Sequence, residues 1–107
     1  MSLKVNKEYD KVTQSWIVEI IGELDILTSV DFKKELNDLL DEMESNITLN
    51  CENLFYIDST GLGVIIGILN RVKSNGFNIN ITNAQSNIDK LIKISGLDKV
   101  ISVEKTC

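Results

Sequence analysis

The sequence predicts an α/β domain: a mixed sheet of about five strands flanked by three main helices. Short β-rich runs alternate with stretches of helical period, and Gly or Asn punctuates the ends of the helical stretches. Proline is absent, and no repeat or linker interrupts the 107 residues, so 1–107 reads as one domain. Helices placed between short strands imply parallel pairing through right-handed crossovers.

The elements follow in order. Leu3 to Tyr9 is a weak first strand, and Lys11 to Ser15 is polar enough to turn the chain into a hairpin. Trp16-Ile17-Val18-Glu19-Ile20-Ile21 is a second strand, rich in β-branched residues, which Gly22 is expected to end. Trp16 reads as a strand-packing residue. Phe32, Leu36, Leu39, Leu40 and Met43 share one face of a first helix. Thr28 with Asp31 resembles a capping box at its start. Ile47 to Cys51 is a short, central strand, with Cys51 a small buried hydrophobe, and Asn53 to Ile57 is expected to be loop.

A second helix runs from Ser59 to Ser74. Leu62, Val64, Ile65, Ile66, Ile68 and Leu69 surround it almost completely, which implies substantial burial. Gly63 and Gly67 would let it lie close against the sheet, and Asn75-Gly76 supplies a left-handed stop. Phe77 to Ile81 alternates strictly, as a strand does. Ser86 with Asp89 opens a third helix with Ile88, Leu91 and Ile92 on its apolar face, and Gly96-Leu97 fits a Schellman stop. Val100 to Val103 closes the sheet.

Composition narrows the chemistry. The chain is 43% hydrophobic and 25% charged, with a net charge of −5. Asp38, Asp41, Glu42 and Glu44 crowd one region with no basic cluster to answer them. A nucleic-acid partner, which needs a basic stripe, is not expected. No apolar run approaches the ~20 residues of a membrane span, so no membrane partner is expected and the address implied is cytoplasmic. Histidine is absent, which removes Ser-His and Cys-His nucleophiles and histidine-ligated metals. Cys51 and Cys107 form no CxxC pair. No catalytic residue, metal site or cofactor is therefore expected.

The stretch with chemical content is Tyr56-Ile57-Asp58-Ser59-Thr60-Gly61-Leu62-Gly63. It sets a hydroxyl beside a carboxylate where a helix begins, and unpaired N–H groups and the helix dipole there favour negative charge. Two readings fit. Asp58-Ser59 suits a plain N-cap; yet Gly61 and Gly63 weaken the first turn by roughly 1 kcal/mol each relative to Ala, which points to close approach by another backbone or a partner.

With these elements placed, the sequence resembles the STAS domain, the anti-sigma factor antagonist family. Gly22-Glu23-Leu24-Asp25, Ile57-Asp58-Ser59-Thr60-Gly61-Leu62-Gly63 and Ser95-Gly96-Leu97 carry the resemblance, the middle motif most specifically. The resemblance implies a partner-switching regulator. Its unphosphorylated form would bind an anti-sigma factor that is also a serine kinase and so free a sigma factor. That kinase would phosphorylate Ser59, and a serine phosphatase would reset it. Thr60 is the neighbouring, weaker acceptor. Glu23, Asp25, Asp58, Ser59, Thr60 and Gly61 would lie on the docking surface, although a solvated loop after Gly22 accounts equally well for Glu23 and Asp25. Asn50 stands where the family often has Asp at the end of the third strand, and it cannot carry that charge.

Two other classes compete. STAS-like domains also accompany lipid-transport machinery and anion transporters, a role that needs a ligand or transporter partner and no phosphorylation. A nucleotide hydrolase is disfavoured, because the chain lacks a Walker A pattern, a histidine base and a Lys or Arg near the motif.

Overall fold

The computed structural model describes residues 3–104. Six strands form one sheet: β1 (Leu3–Asp10), β2 (Ser15–Leu24), β3 (Asn46–Asn50), β4 (Leu54–Ile57), β5 (Ile79–Thr82) and β6 (Ser102–Glu104). Three α-helices alternate with them: α1 (Ser29–Glu42), α2 (Ser59–Ser74) and α3 (Ser86–Ser95). The strand order is β1-β2-β3-β5-β6, with β4 joined to β2. Only β1–β2 is antiparallel, through the expected hairpin; the other pairs are parallel.

The helices cover one face of the sheet. Val18, Ile20, Leu49, Ile79 and Ile81 point into that layer and are all at most 1% exposed. The intervening Ile17, Glu19, Thr48, Asn50, Asn80 and Thr82 are only partly covered on the other face. Phe32, Leu36, Leu39 and Leu40 of α1 fill the core as their spacing predicts. Met43 does not: it lies past the helix end in extended backbone and is partly exposed. Its carbonyl instead accepts the Trp16 indole N–H at 2.9 Å, while the Trp16 ring meets Tyr9 edge-on at 5.3 Å.

Gly22 does not end the second strand. With a φ of 115° it forms an irregularity at which β2 leaves β3 and continues against β4. The segment expected to be loop, Asn53 to Ile57, therefore contains β4, whose Leu54 and Ile57 pair with Gly22 and Leu24.

The all-round burial expected for α2 is not found. Leu62, Ile65, Ile68, Leu69 and Val72 face the core, whereas Ile66, Gly63 and Gly67 lie outside. A Cβ built at Gly63 or Gly67 would meet nothing within 4 Å, so neither glycine serves close packing on the sheet. Neither expected capping box forms. Thr28 caps α1 without a side-chain cap bond, because its hydroxyl is engaged elsewhere, and α3 begins after Gln85 rather than at a Ser86 cap. Phe77 and Asn78 precede β5, Val100 and Ile101 precede β6, and Cys107 lies outside the described residues.

The acidic region has an answer after all. Arg71 of α2 meets Glu44 at 2.5 Å and Asp41 at 2.8 Å, and its Nη1 donates to Asn37 Oδ1 at 2.9 Å. Glu44 first, and then Asp41, hold the guanidinium above its ordinary value. This clamps the C-terminal half of α2 to α1. Lys34 answers Asp38 one turn along α1.

Candidate functional site at the head of the second helix

Strand β4 delivers Asp58 to the start of α2 in extended backbone, the conformation an N-cap requires. Asp58 Oδ1 accepts the Gly61 N–H at 3.0 Å, and its carbonyl accepts Leu62 N–H at 3.0 Å. The second carboxylate oxygen accepts the Ile26 N–H at 3.2 Å, and the Asp58 N–H reaches back to Leu24 O at 3.2 Å. One residue thus closes the helix and ties it to the β2–α1 loop. Ser59 and Thr60 occupy the first two helical positions, both exposed, where backbone N–H groups have no helical acceptor.

Gly61 is the glycine that close approach requires. A Cβ there would sit 2.7 Å from Leu24 O, 2.8 Å from Leu24 Cγ and 3.0 Å from Ile57 Cγ1. The first turn of α2 therefore rests directly on the end of β2. Both sequence readings of the motif hold in part: Asp58 is the cap and Ser59 is left free of that duty, while close approach requires Gly61 but not Gly63.

Asp25 is placed differently from Glu23. Glu23 is half-buried at the end of β2, whereas Asp25 is 3% exposed. Its Oδ1 accepts from Leu27 N–H at 2.9 Å and Thr28 N–H at 3.1 Å. The Thr28 hydroxyl accepts from Asp25 N–H and donates to Glu23 O at 2.8 Å, and the Ser29 hydroxyl donates to Asp25 O. This is a self-contained polar turn of the kind Asp and Thr form with neighbouring backbone. The Asp25 carboxylate thus shapes the loop from inside.

What that loop displays is apolar. Ile26, Leu27 and Val30 are 69%, 73% and 74% exposed beside the head of α2. Residue-type reasoning passed over them. The available signal was an Ile-Leu pair outside the helical face and between two turn-forming residues. A groove of about 390 Å³ continues the surface between α1 and α2, lined by Lys33 and Asn37 on one side and Thr60, Gly63 and Gly67 on the other. Gly63 and Gly67 keep it open.

Asn50 at the end of β3 accepts from Glu52 N–H at 3.1 Å and from the Asn83 amide at 3.2 Å, a structural use of its side-chain oxygen. Among the described residues, no group of His, Cys, Asp or Glu is arranged to hold a metal ion, and no helix is long and apolar enough to cross a membrane.

A family model described as "STAS domain" matches residues 5–107. The chain belongs to the STAS domain family. This STAS domain is 29% identical over 103 residues to an anti-sigma-B factor antagonist of Staphylococcus aureus (strain NCTC 8325 / PS 47), covering 96% of this chain and 95% of the relative. Its fold is similar to that of a putative anti-sigma factor antagonist from Thermotoga maritima, with a TM-score of 0.85 at 23% identity, covering 96% of this chain and 86% of that one. It is also similar to the anti-sigma factor antagonist SpoIIAA of Bacillus. The TM-score is 0.76 at 15% identity for the unphosphorylated form, covering 97% and 90% of the two chains, and 0.71 at 17% for the phosphorylated form, covering 96% and 91%. At these identities the solved structures show the shared fold.

Proposed function

We propose that this protein is an anti-sigma factor antagonist whose binding is switched by phosphorylation of Ser59. The observation that carries the reading is the position of the Ser59 hydroxyl. It is exposed at the first position of α2, relieved of capping by Asp58, and next to the apolar rim of Ile26, Leu27 and Val30. The unphosphorylated surface docks an anti-sigma factor serine kinase in the cytoplasm and thereby releases a sigma factor. The fold tolerates the phosphate, because free N–H groups and the dipole at the head of α2 stabilise negative charge. The docked state does not: about −1.5 to −2 charge would enter a surface whose neighbours are apolar. A serine phosphatase resets the switch. The SpoIIAA relative, solved in unphosphorylated and phosphorylated forms, supports this reading.

The test is a pull-down from the source organism's lysate with ATP or ADP, using wild type and Ser59→Asp as baits. Wild type retains a small ATP-binding serine kinase, and Ser59→Asp does not. If both baits capture the same membrane or transport proteins, the protein is instead a transport accessory and Ser59 is no switch.

A further inference from the structure

We infer that this protein forms a twofold dimer in which β1 pairs antiparallel with β1 of a second copy, joining the two sheets into one. β1 lies at the end of the strand order, and among the described residues it pairs only with β2, so its outer edge is unpaired. Lysines on an edge strand ordinarily discourage such pairing. Here the strand is complementary to itself. Centred on Asn6, the antiparallel register sets Lys4 opposite the other copy's Glu8, and Glu8 opposite its Lys4. Both lie on the uncovered face, across from Ile21 and Ile17 of β2.

The other face matches too. Leu3 comes opposite Tyr9, and Val5 opposite the aliphatic stem of Lys7. Leu3, Val5 and Tyr9 already pack partly against the core, so the joint would extend the apolar layer beneath the helices. Other registers are poorer. Centring on Lys7 also sets Lys4 opposite Asp10, but it opposes two lysines at the axis and leaves Glu8 facing Asn6. It also draws on an Asp10 carboxylate that already accepts Val12 N–H. Centring on Val5 leaves Glu8 unmatched, and a one-residue shift brings opposite faces together.

Lys4 and Glu8 also stand out from their neighbours on β1. Asn6 donates to Glu19 at 3.1 Å and Lys7 meets Glu35 at 3.0 Å. Lys4 and Glu8, both exposed, have no ion-pair partner among the described residues. The twofold supplies one to each, and four charges pair across a single joint.

Sedimentation velocity on the full chain over a concentration series tests the inference. Wild type shows a monomer–dimer equilibrium. Lys4→Glu and Glu8→Lys each raise the dissociation constant by about tenfold or more, because either reversal puts like charges together at two symmetric places. The double variant K4E/E8K restores the wild-type constant to within about threefold. Circular dichroism confirms that each variant is folded. A wild type that stays monomeric up to about 1 mM overturns the proposal. So does a dimer indifferent to the single reversals, or one that the double variant fails to rescue.

Discussion

Asp58 and Ile26, 32 positions apart, are joined by a 3.2 Å hydrogen bond from the Ile26 N–H to Asp58 Oδ2. The same carboxylate caps α2 through Gly61. The apolar rim and the Ser59 hydroxyl therefore sit on one mechanical unit, and the orientation of each depends on Asp58. Asp58→Ala removes both acceptors and should lower stability by about 2 kcal/mol, combining a lost cap with a loosened loop. Urea denaturation reads this directly, and a loss below about 0.5 kcal/mol would mean that water replaces the carboxylate freely.

Gly61 and Gly63 should respond to alanine with opposite signs. At Gly61 the added Cβ would collide with the backbone oxygen of Leu24, so Gly61→Ala should destabilise by about 1–3 kcal/mol. At Gly63 the same methyl meets nothing within 4 Å, and removing a helical glycine should stabilise by about 0.5–1 kcal/mol. Paired chemical denaturation curves decide the matter. If Gly63→Ala stabilises the fold and also weakens partner capture, the α1–α2 groove belongs to the docking surface.

Asp25 gives a conservative pair. Oδ1 accepts two backbone N–H groups, while Oδ2 is buried without a hydrogen-bond partner. Asp25→Asn keeps the working oxygen and should stay within about 1 kcal/mol of wild type, whereas Asp25→Ala should lose about 2 kcal/mol. Equal losses for the two variants would show that the charge, rather than the Oδ1 geometry, holds the loop.

How far these features could be read from the sequence depends on whether neighbouring residues or distant ones decide them. The bounds of α2 are local: Asp58 supplies a cap at one end and Asn75-Gly76 a stop at the other, and the helix occupies Ser59–Ser74 as expected. Strand β4 is not local. Phe55 and Tyr56 are both exposed, which removes any alternation, and the strand exists because β2 continues past Gly22 to receive it. The burial of Asp25 was hidden for a related reason: a carboxylate following a glycine-containing strand end looks like solvated loop until Thr28 folds back on it. The apolar residues around α2 likewise carry no sign of which side faces the sheet, so the sequence alone does not place Gly63 and Gly67 on the outer side, where the structure has them.

Cys51 makes a prediction about pH. It is 1% exposed, and burial pushes its thiol from 9.0 up to about 12. The folded state keeps the proton that the unfolded chain gives up, so the associated stability is complete below about pH 9. It falls as pH rises from there towards 12, with a slope of at most about 1.4 kcal/mol per pH unit. In a Cys107→Ser background the native protein should leave a thiol-disulfide reagent unreacted at pH 8, and denaturant should release one reactive thiol. Rapid reaction without denaturant would mean that the core around β3 opens readily.

Ser59 remains the decisive position, because stability and binding should separate there. Its hydroxyl makes no side-chain capping bond, since Asp58 holds that place, so Ser59→Ala should change stability by less than about 0.5 kcal/mol. Ser59→Asp places a carboxylate in the first turn of α2, where the dipole favours it, and should be neutral or slightly stabilising. Against the kinase the two variants should diverge. Ser59→Ala should bind much as wild type does and accept no phosphate, whereas Ser59→Asp should bind about 10²-fold more weakly, roughly 2.7 kcal/mol. Titration calorimetry alongside thermal denaturation distinguishes the cases. Weaker binding with an unchanged melting temperature identifies charge at the interface as the cause. A variant that loses both would make Ser59 a structural residue after all, and unchanged affinity for Ser59→Asp would remove the switch from the head of this helix.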